Sequence, residues 1–198
     1  MGLVLDFADG QTPLDEDEKE GLLIKSIATR GELDEFEQQN IEQAVLWTIG
    51  RSIKAEKLFT EEFIKALHKR MYGNVWSWAG DFRKTNKNIG IDKWQINTAL
   101  RTLLDDSKFW QAEAVYTPDE FCMQFKHRLV SIHCFANGNG RHSRLMADII
   151  SEKIFKMPVY SWGALSLVKQ GNARKIYLKA LRDADIGMIQ PLVAFARG

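Results

Sequence analysis

The residues of this chain best equipped for chemistry stand in one run, His133 to Arg144, reading HCFANGNGRHSR. His133 carries an imidazole whose ordinary pKa of about 6.5 lets it accept a proton near neutrality. Gly138, Asn139 and Gly140 follow, and glycine permits the positive φ and close backbone approach by which peptide N–H groups turn toward a ligand. These amides open a helix, where the aligned peptide dipoles favour an anion. Arg141 and Arg144 are three residues apart, so they project from neighbouring positions of one helical face and can reach outer phosphates with bidentate hydrogen bonds. A base, a cradle and a clamp in this order suit phosphoryl or nucleotidyl transfer. Phe135 reads as an anchor of the loop in the core, and His142, one residue beyond the first arginine, leaves the reactive face.

Two helices must hold that run. Thr117 and Pro118 give an N-cap followed by proline at the first helical position, and Phe121, Cys122, Phe125, Leu129 and Ile132 trace an apolar stripe that delivers His133. A second helix is predicted from about Gly140 to Phe155, with Leu145, Met146, Ile149, Ile150 and Ile154 inward and Asp148 either orienting Arg144 or making a surface pair. Upstream, Thr29 and Glu32 form a capping box ahead of a helix over about Gly31 to Lys54. Its acidic turn, Glu32 to Glu37, reads as a solvated face or as an element approaching the site, the solvated face being preferred. Thr60 caps a further helix ending near Gly73, with His68 at the edge of its stripe. Trp94 to Trp110 reads as a scaffold helix, a helix through Arg174 to Asp185 follows the Pro158 break, and Ile189 to Ala196 closes the chain as a short packing helix.

Composition sets bounds. At 198 residues, 45% hydrophobic and 27% charged, the chain suits one soluble domain with a substantial core. A formal charge of +1 supplies no basic excess to release counterions, which argues for local anion binding and against nucleic acid as partner. Cys122 and Cys134 lack metal-ligand spacing and read as reduced core thiols, consistent with the cytoplasm. No stretch approaches the roughly 20 apolar residues of a membrane span, and Met1 to Gly10 lacks the basic start of a signal peptide. Residues 1–28 read as an N-terminal extension without chemistry, and 29–198 as a single helical domain.

The run resembles the signature of the Fic (filamentation induced by cAMP) family, H-x-F-x-(D/E)-G-N-G-R-x-x-R, which His133, Phe135, Gly138, Asn139, Gly140, Arg141 and Arg144 match. Asn137 departs from it, standing where most members have Asp or Glu. The flanking WAGDFR (Trp78 to Arg83) and the ending QPLVAFARG are similar to the subgroup named mobile mystery protein B, in which that Asn is usual.

The resemblance implies an all-α Fic fold, mainly a helical bundle, with a short β-hairpin flap over about residues 84–93 beside the motif at 133–144. It implies a protein adenylyltransferase that moves AMP from Mg²⁺-ATP to a Ser, Thr or Tyr hydroxyl of a target protein. His133 would be the catalytic base, Asn137 to Arg141 together with Arg144 would bind the nucleotide phosphates, and Lys87, Asn88, Ile89, Gly90, Ile91 and Asp92 would pair with the target's main chain. Asn137 would be the metal-facing residue, and because a neutral carboxamide attracts Mg²⁺ less than a carboxylate, weaker metal dependence or lower turnover is expected. Other readings on the same scaffold are phosphotransfer, a different nucleotide donor, AMP removal, and a non-catalytic nucleotide-dependent binding module. Many relatives carry an internal inhibitory glutamate in the motif (S/T)-x-x-x-E-(G/N). No stretch before Trp47 matches it, which leaves room for a separate inhibitor of the antitoxin kind.

Overall fold

The caps foreseen in the sequence start the helices. In a computed structural model that describes residues 13–164 and 170–198, Thr29 Oγ1 accepts from Glu32 N to open α2 (Arg30–Thr48), after the short α1 (Glu16–Glu20). Thr60 does the same for α4 (Glu61–Tyr72), which follows α3 (Ala55–Leu58). A 3-10 turn, Lys93–Gln95, leads into α5 (Ile96–Ala112). Thr117, with Glu120 closing a capping box and Pro118 at the first position, opens α6 (Pro118–Ile132). The motif helix is α7 (Asn139–Lys153), and α8 (Gln170–Asp185) and α9 (Gln190–Arg197) complete the order. The all-α class expected from the sequence is observed. No described helix is long and apolar enough to cross a membrane.

The centre of the bundle is α6, which packs against α5, α7 and α9. Phe121 and Phe125 of this helix lie 5.8 and 5.7 Å from the ring of Phe59, itself fully buried, so the start of α4 and the site-bearing helix share one aromatic core. Burying each such side chain contributes roughly 1.5–3 kcal/mol. Leu14, Leu22 and Ile27 join the same core, and Leu22 makes an isolated antiparallel bridge to Trp76. Residues 13–28 thus pack with the bundle, while residues 1–12 lie outside the described part of the chain. SWGALS is described only as far as Ala164.

The expected β-hairpin is replaced. Residues 84–92 form a chain of bends, and no paired strand occurs there among the described residues. Its physical reason is Arg83, whose buried guanidinium lies between the two limbs, donating to Thr85 O at 2.8 Å and to Ile91 O, and thereby takes carbonyls a hairpin would pair across strands. Lys87 is drawn the other way, to Asp15 at 2.8 Å and Glu18 at 2.5 Å. An internal cation and a pair of acidic anchors shape the loop instead of a ladder.

Burial also fixes protonation. Desolvation holds the imidazoles of His133 and His142 down to about 4, and lowers His68 well below its ordinary value. Between about pH 6.5 and 4 the unfolded chain therefore binds protons that the folded chain refuses, so stability must fall as pH falls through that window. Asp148, raised to about 6 chiefly by burial, opposes this as a single group. We expect the urea midpoint to drop between pH 7 and pH 5, with a net slope on the order of 1–3 kcal/mol per pH unit. A midpoint equal or higher at pH 5 would contradict the neutral, buried state of these rings.

Candidate active site

Backbone strain brackets the turn between α6 and α7. His133 ends α6 in the left-handed region at φ 57°, and Gly138 precedes α7 at φ 78°. A left-handed histidine is costly and persists only where its surroundings hold it. Arg83 supplies part of that hold, its Nε donating to His133 O at 2.6 Å and its own N–H to Cys134 O at 2.9 Å. Gly90 presses from the same side: a Cβ there would stand 2.5 Å from the Cβ of His133. Ile89 and Asn88 line the cavity beside it, whereas Lys87 is tied back to α1. Ile91 and Asp92 do not line it: the Ile91 carbonyl is held by Arg83, and Asp92 caps the 3-10 turn and accepts from Asn86 Nδ2.

The turn is braced from beneath by side chains. Asn139 is buried, and its carboxamide accepts from Phe135 N at 2.9 Å and donates to Phe135 O at 2.8 Å, which closes the loop on itself. Its side chain is a brace, and only its peptide N–H remains for a ligand. His68, which the sequence placed at the edge of its helix, is fully buried and stacks on Phe135 at 3.7 Å. Its Nδ1 accepts from Gly80 N at 3.0 Å, so the proton sits on Nε2, which donates to Asn137 O at 3.1 Å. His142 is also buried, its Nε2 donating to Ile64 O at 3.0 Å.

Above this base lies a cavity of about 830 Å³, lined by His133, Asn137, Gly138, Asn139, Gly140, Arg141 and Arg144 on one side and by Tyr177, Leu178 and Leu181 of α8 on another. All of the motif residues expected to act together therefore meet in one space. The first intrahelical bond of α7 runs from His142 N to Gly138 O, which leaves the Asn139, Gly140 and Arg141 amides ahead of it as the helix's N-terminal donors. Gly138 is different: its N–H donates to Asn137 Oδ1 at 2.6 Å. The expected cradle is thus built from the amides of 139–141, and the Gly138 amide is spent on the turn.

The two arginines have different surroundings. Arg141 donates to Glu37 Oε2 at 2.6 Å, and although burial works against its charge, Tyr72 and Glu37 outweigh that and raise its pKa. Glu37 is only 4% exposed, and its other oxygen accepts from Trp76 Nε1 at 2.7 Å. This corrects the solvated-face reading of the acidic turn. The signal was present, because the buried positions Leu33, Glu37, Asn40, Ala44 and Thr48 recur every three or four residues and place the glutamate on the inward stripe. Its partner is the first motif arginine. Arg144 has no ion pair among the described residues and lies against aromatic faces, 4.4 Å from the Tyr177 ring centre and 5.7 Å from that of Trp162. Asp148 steadies it indirectly, accepting from Trp162 Nε1 at 3.1 Å and from Tyr160 N at 3.0 Å.

His133 is 4% exposed yet lines the cavity, and desolvation followed by the charge of Arg83 keeps it neutral at physiological pH. That is the protonation state a general base requires. A Mg²⁺ ion finds less: the turn offers the carboxamide oxygen of Asn137, already accepting from Gly138 N, and no group of three His, Cys, Asp or Glu side chains converges among the described residues. The donor set does not fit a cation held by the protein itself.

Two glycines in the turn are there for different reasons. A Cβ on Gly138 would meet the Tyr72 ring at 2.6 Å, whereas one on Gly140 would meet nothing within 4 Å. We expect Gly138→Ala to destabilise the fold by about 1–3 kcal/mol. Gly140→Ala should leave the thermal midpoint within about 2 °C while weakening nucleotide binding at least tenfold, as read by calorimetric titration. Undiminished binding in Gly140→Ala would show that no ligand approaches that amide.

Comparison with known proteins agrees with this geometry. Residues 58–151 match the sequence model of the Fic/DOC family. The protein adenylyltransferase Fic of Aedes aegypti is 26% identical over 147 residues, covering 72% of this chain and 28% of the relative. That of Nematostella vectensis is 24% identical over 167 residues, covering 82% of this chain and 37% of the relative. The chain thus spans about a third or less of the length of these curated relatives. Among solved structures, a Fic domain containing signaling protein from Bacteroides thetaiotaomicron superposes with a TM-score of 0.65 at 17% identity, over 80% of this chain and 66% of that one. The BepC protein of Bartonella tribocorum, solved with bound AMPPNP, gives a TM-score of 0.65 at 16% identity over 92% of this chain and 97% of its own. Sequence match and shared fold together identify residues 58–151 as a domain of the Fic/DOC family.

Proposed function

We propose that this chain transfers AMP from ATP to a hydroxyl side chain of a target protein. One observation carries the reading: a neutral imidazole, a helix N-terminus with three amides ahead of its first intrahelical bond, and an arginine without an ion pair among the described residues line the same cavity. The adenylyltransferase names of the curated relatives and the nucleotide analogue bound to a neighbour of the same fold support it at the level of the family.

In this mechanism the polyphosphate lies over the 139–141 amides, with Arg144 neutralising its outer oxygens. Arg141 must loosen its bond to Glu37 to contribute its second face, so it positions more than it clamps. The target hydroxyl enters past Asn88 and Ile89, which line the cavity, and Gly90, which stands directly against His133. His133 accepts the hydroxyl proton as oxygen attacks the α-phosphorus, and pyrophosphate leaves. Catalysis then comes from positioning and from cationic stabilisation of the leaving group, with little reorganisation of the site.

Incubation of the protein and candidate targets with ATP labelled separately at the α- and γ-phosphates should place the α-label, and not the γ-label, on protein. His133→Ala should lower that labelling by about 10²–10⁴-fold while still binding ATP. Transfer of the γ-label would make the chain a kinase, and binding of ATP without either label would leave a nucleotide-dependent binding module.

A further inference from the structure

Lys126 is the residue of α6 that the mechanism above does not use and that the fold should not tolerate without cause. Its side chain is fully buried, and no carboxylate pairs with it among the described residues. A lysine withdrawn from water without an anion loses the free energy of its charge, and such residues persist where they do a job. The Lys126 Nζ donates to the Tyr177 hydroxyl at 2.5 Å and lies 4.5 Å from the centre of that ring. The same ring carries the Arg144 guanidinium at 4.4 Å. One tyrosine of α8 therefore stands against two basic groups, one from α7 lining the cavity and one from α6 behind its wall.

Neither of the groups facing Lys126 carries negative charge. From α7 comes Arg144, whose positive charge adds to burial in disfavouring a second cation, and from α8 comes Tyr177, whose hydroxyl burial keeps protonated. Carboxylates on neighbouring elements are engaged elsewhere: Asp106 with Arg128, Asp119 with Arg197 and Tyr160, Asp148 with Trp162, and Asp185 with His127. Burial and the neighbouring guanidinium thus both disfavour a charge on the amine, beside an arginine whose Nε is itself buried without a hydrogen-bond partner. Anionic charge arriving on Arg144 is what both groups lack.

We propose that Lys126 is a positioning residue of the phosphate site, holding Tyr177 as the shelf on which Arg144 lies and gaining a proton from solvent when a polyphosphate anion binds at Arg144. This rests on the nucleotide reading of the cavity. The uncharged –NH₂ takes one proton to become –NH₃⁺, and no other bond changes. The added cation reaches the anion through a buried path of low dielectric and little screening, where a unit charge at this range changes affinity roughly tenfold. Nucleotide affinity is thereby linked to proton uptake by a residue that never touches the ligand.

Calorimetric titration of ATP, and separately of inorganic triphosphate, into the full chain at pH 8 tests this, in two buffers of different ionisation enthalpy. At that pH imidazoles are already deprotonated, and the difference in uptake between wild type and Lys126→Met, with the same ligand, reports on the amine. The wild-type chain should take up close to one proton per ligand bound. Lys126→Met should take up none and bind about tenfold more weakly. Lys126→Arg, charged throughout, should bind with near wild-type affinity and no uptake, which a purely packing role for the side chain would not produce. Equal uptake in wild type and Lys126→Met, or none in wild type with affinity intact, would overturn the proposal and leave the nucleotide site standing. Failure of the wild-type chain to bind either ligand would remove both together.

Discussion

The structure depends on the closure of a five-residue loop by buried hydrogen bonds. Between His133 and Asn139 the chain reverses from one helix into the next, and its peptide groups have neither helix nor sheet to satisfy them. Asn139 bonds both the N–H and the carbonyl of Phe135, His68 takes the Asn137 carbonyl, and Arg83 takes those of His133 and Cys134. Leaving any of these groups unmet in the interior would cost about 1–3 kcal/mol. With all of them met, a strained left-handed histidine and an exposed helix N-terminus are held facing one cavity. A site formed this way is pre-organised before any ligand arrives, which is where most of the rate of a positioning mechanism originates.

Charge is distributed over that frame unequally. Arg141 faces inward to Glu37 and Tyr72, so the middle of α2 is locked onto the start of α7 by a buried, doubly bonded carboxylate. Breaking one member of such a set leaves the other uncompensated, so the pair is structural whatever else it does. Arg144 is offered on an aromatic shelf instead, with no carboxylate to compete for it among the described residues. The loop that precedes α5 is organised by the same logic: the guanidinium of Arg83 draws residues 85–91 in toward His133, while Lys87 is held out by Asp15 and Glu18. The 85–91 loop and His133 are therefore joined through a single buried arginine.

Much of this was legible in the chain. Thr29, Thr60 and Thr117 announced three helices through local capping chemistry, and those helices begin where the caps stand. Short-range spacing likewise brought His133, the 138–140 turn and Arg144 to one place, because two helices joined by a tight loop have little freedom in how they meet. The misreadings share one cause, which is distance along the sequence. Asn86 to Gly90 carries local hairpin chemistry, but the carbonyls it needs are claimed by Arg83, itself bonded to His133 fifty residues away. His68 reads as a boundary residue until Asn137, 69 residues on, supplies its partner. Lys126 and Tyr177, for which the sequence alone offered no reading, lie 51 residues apart and meet only in the fold. Glu37 is the exception, since helical periodicity alone placed it inward.

The account's central claim is that the amides opening α7 and the guanidinium of Arg144 form one preformed site for a polyphosphate, within reach of His133. A crystal structure of the chain with a non-hydrolysable ATP analogue measures this most directly. The account predicts phosphate oxygens within hydrogen-bond distance of the Asn139 to Arg141 amides and of Arg144, with the turn from His133 to Asn139 unmoved by more than about 1 Å. An analogue seated elsewhere in the cavity, or a turn that refolds to receive it, would contradict it.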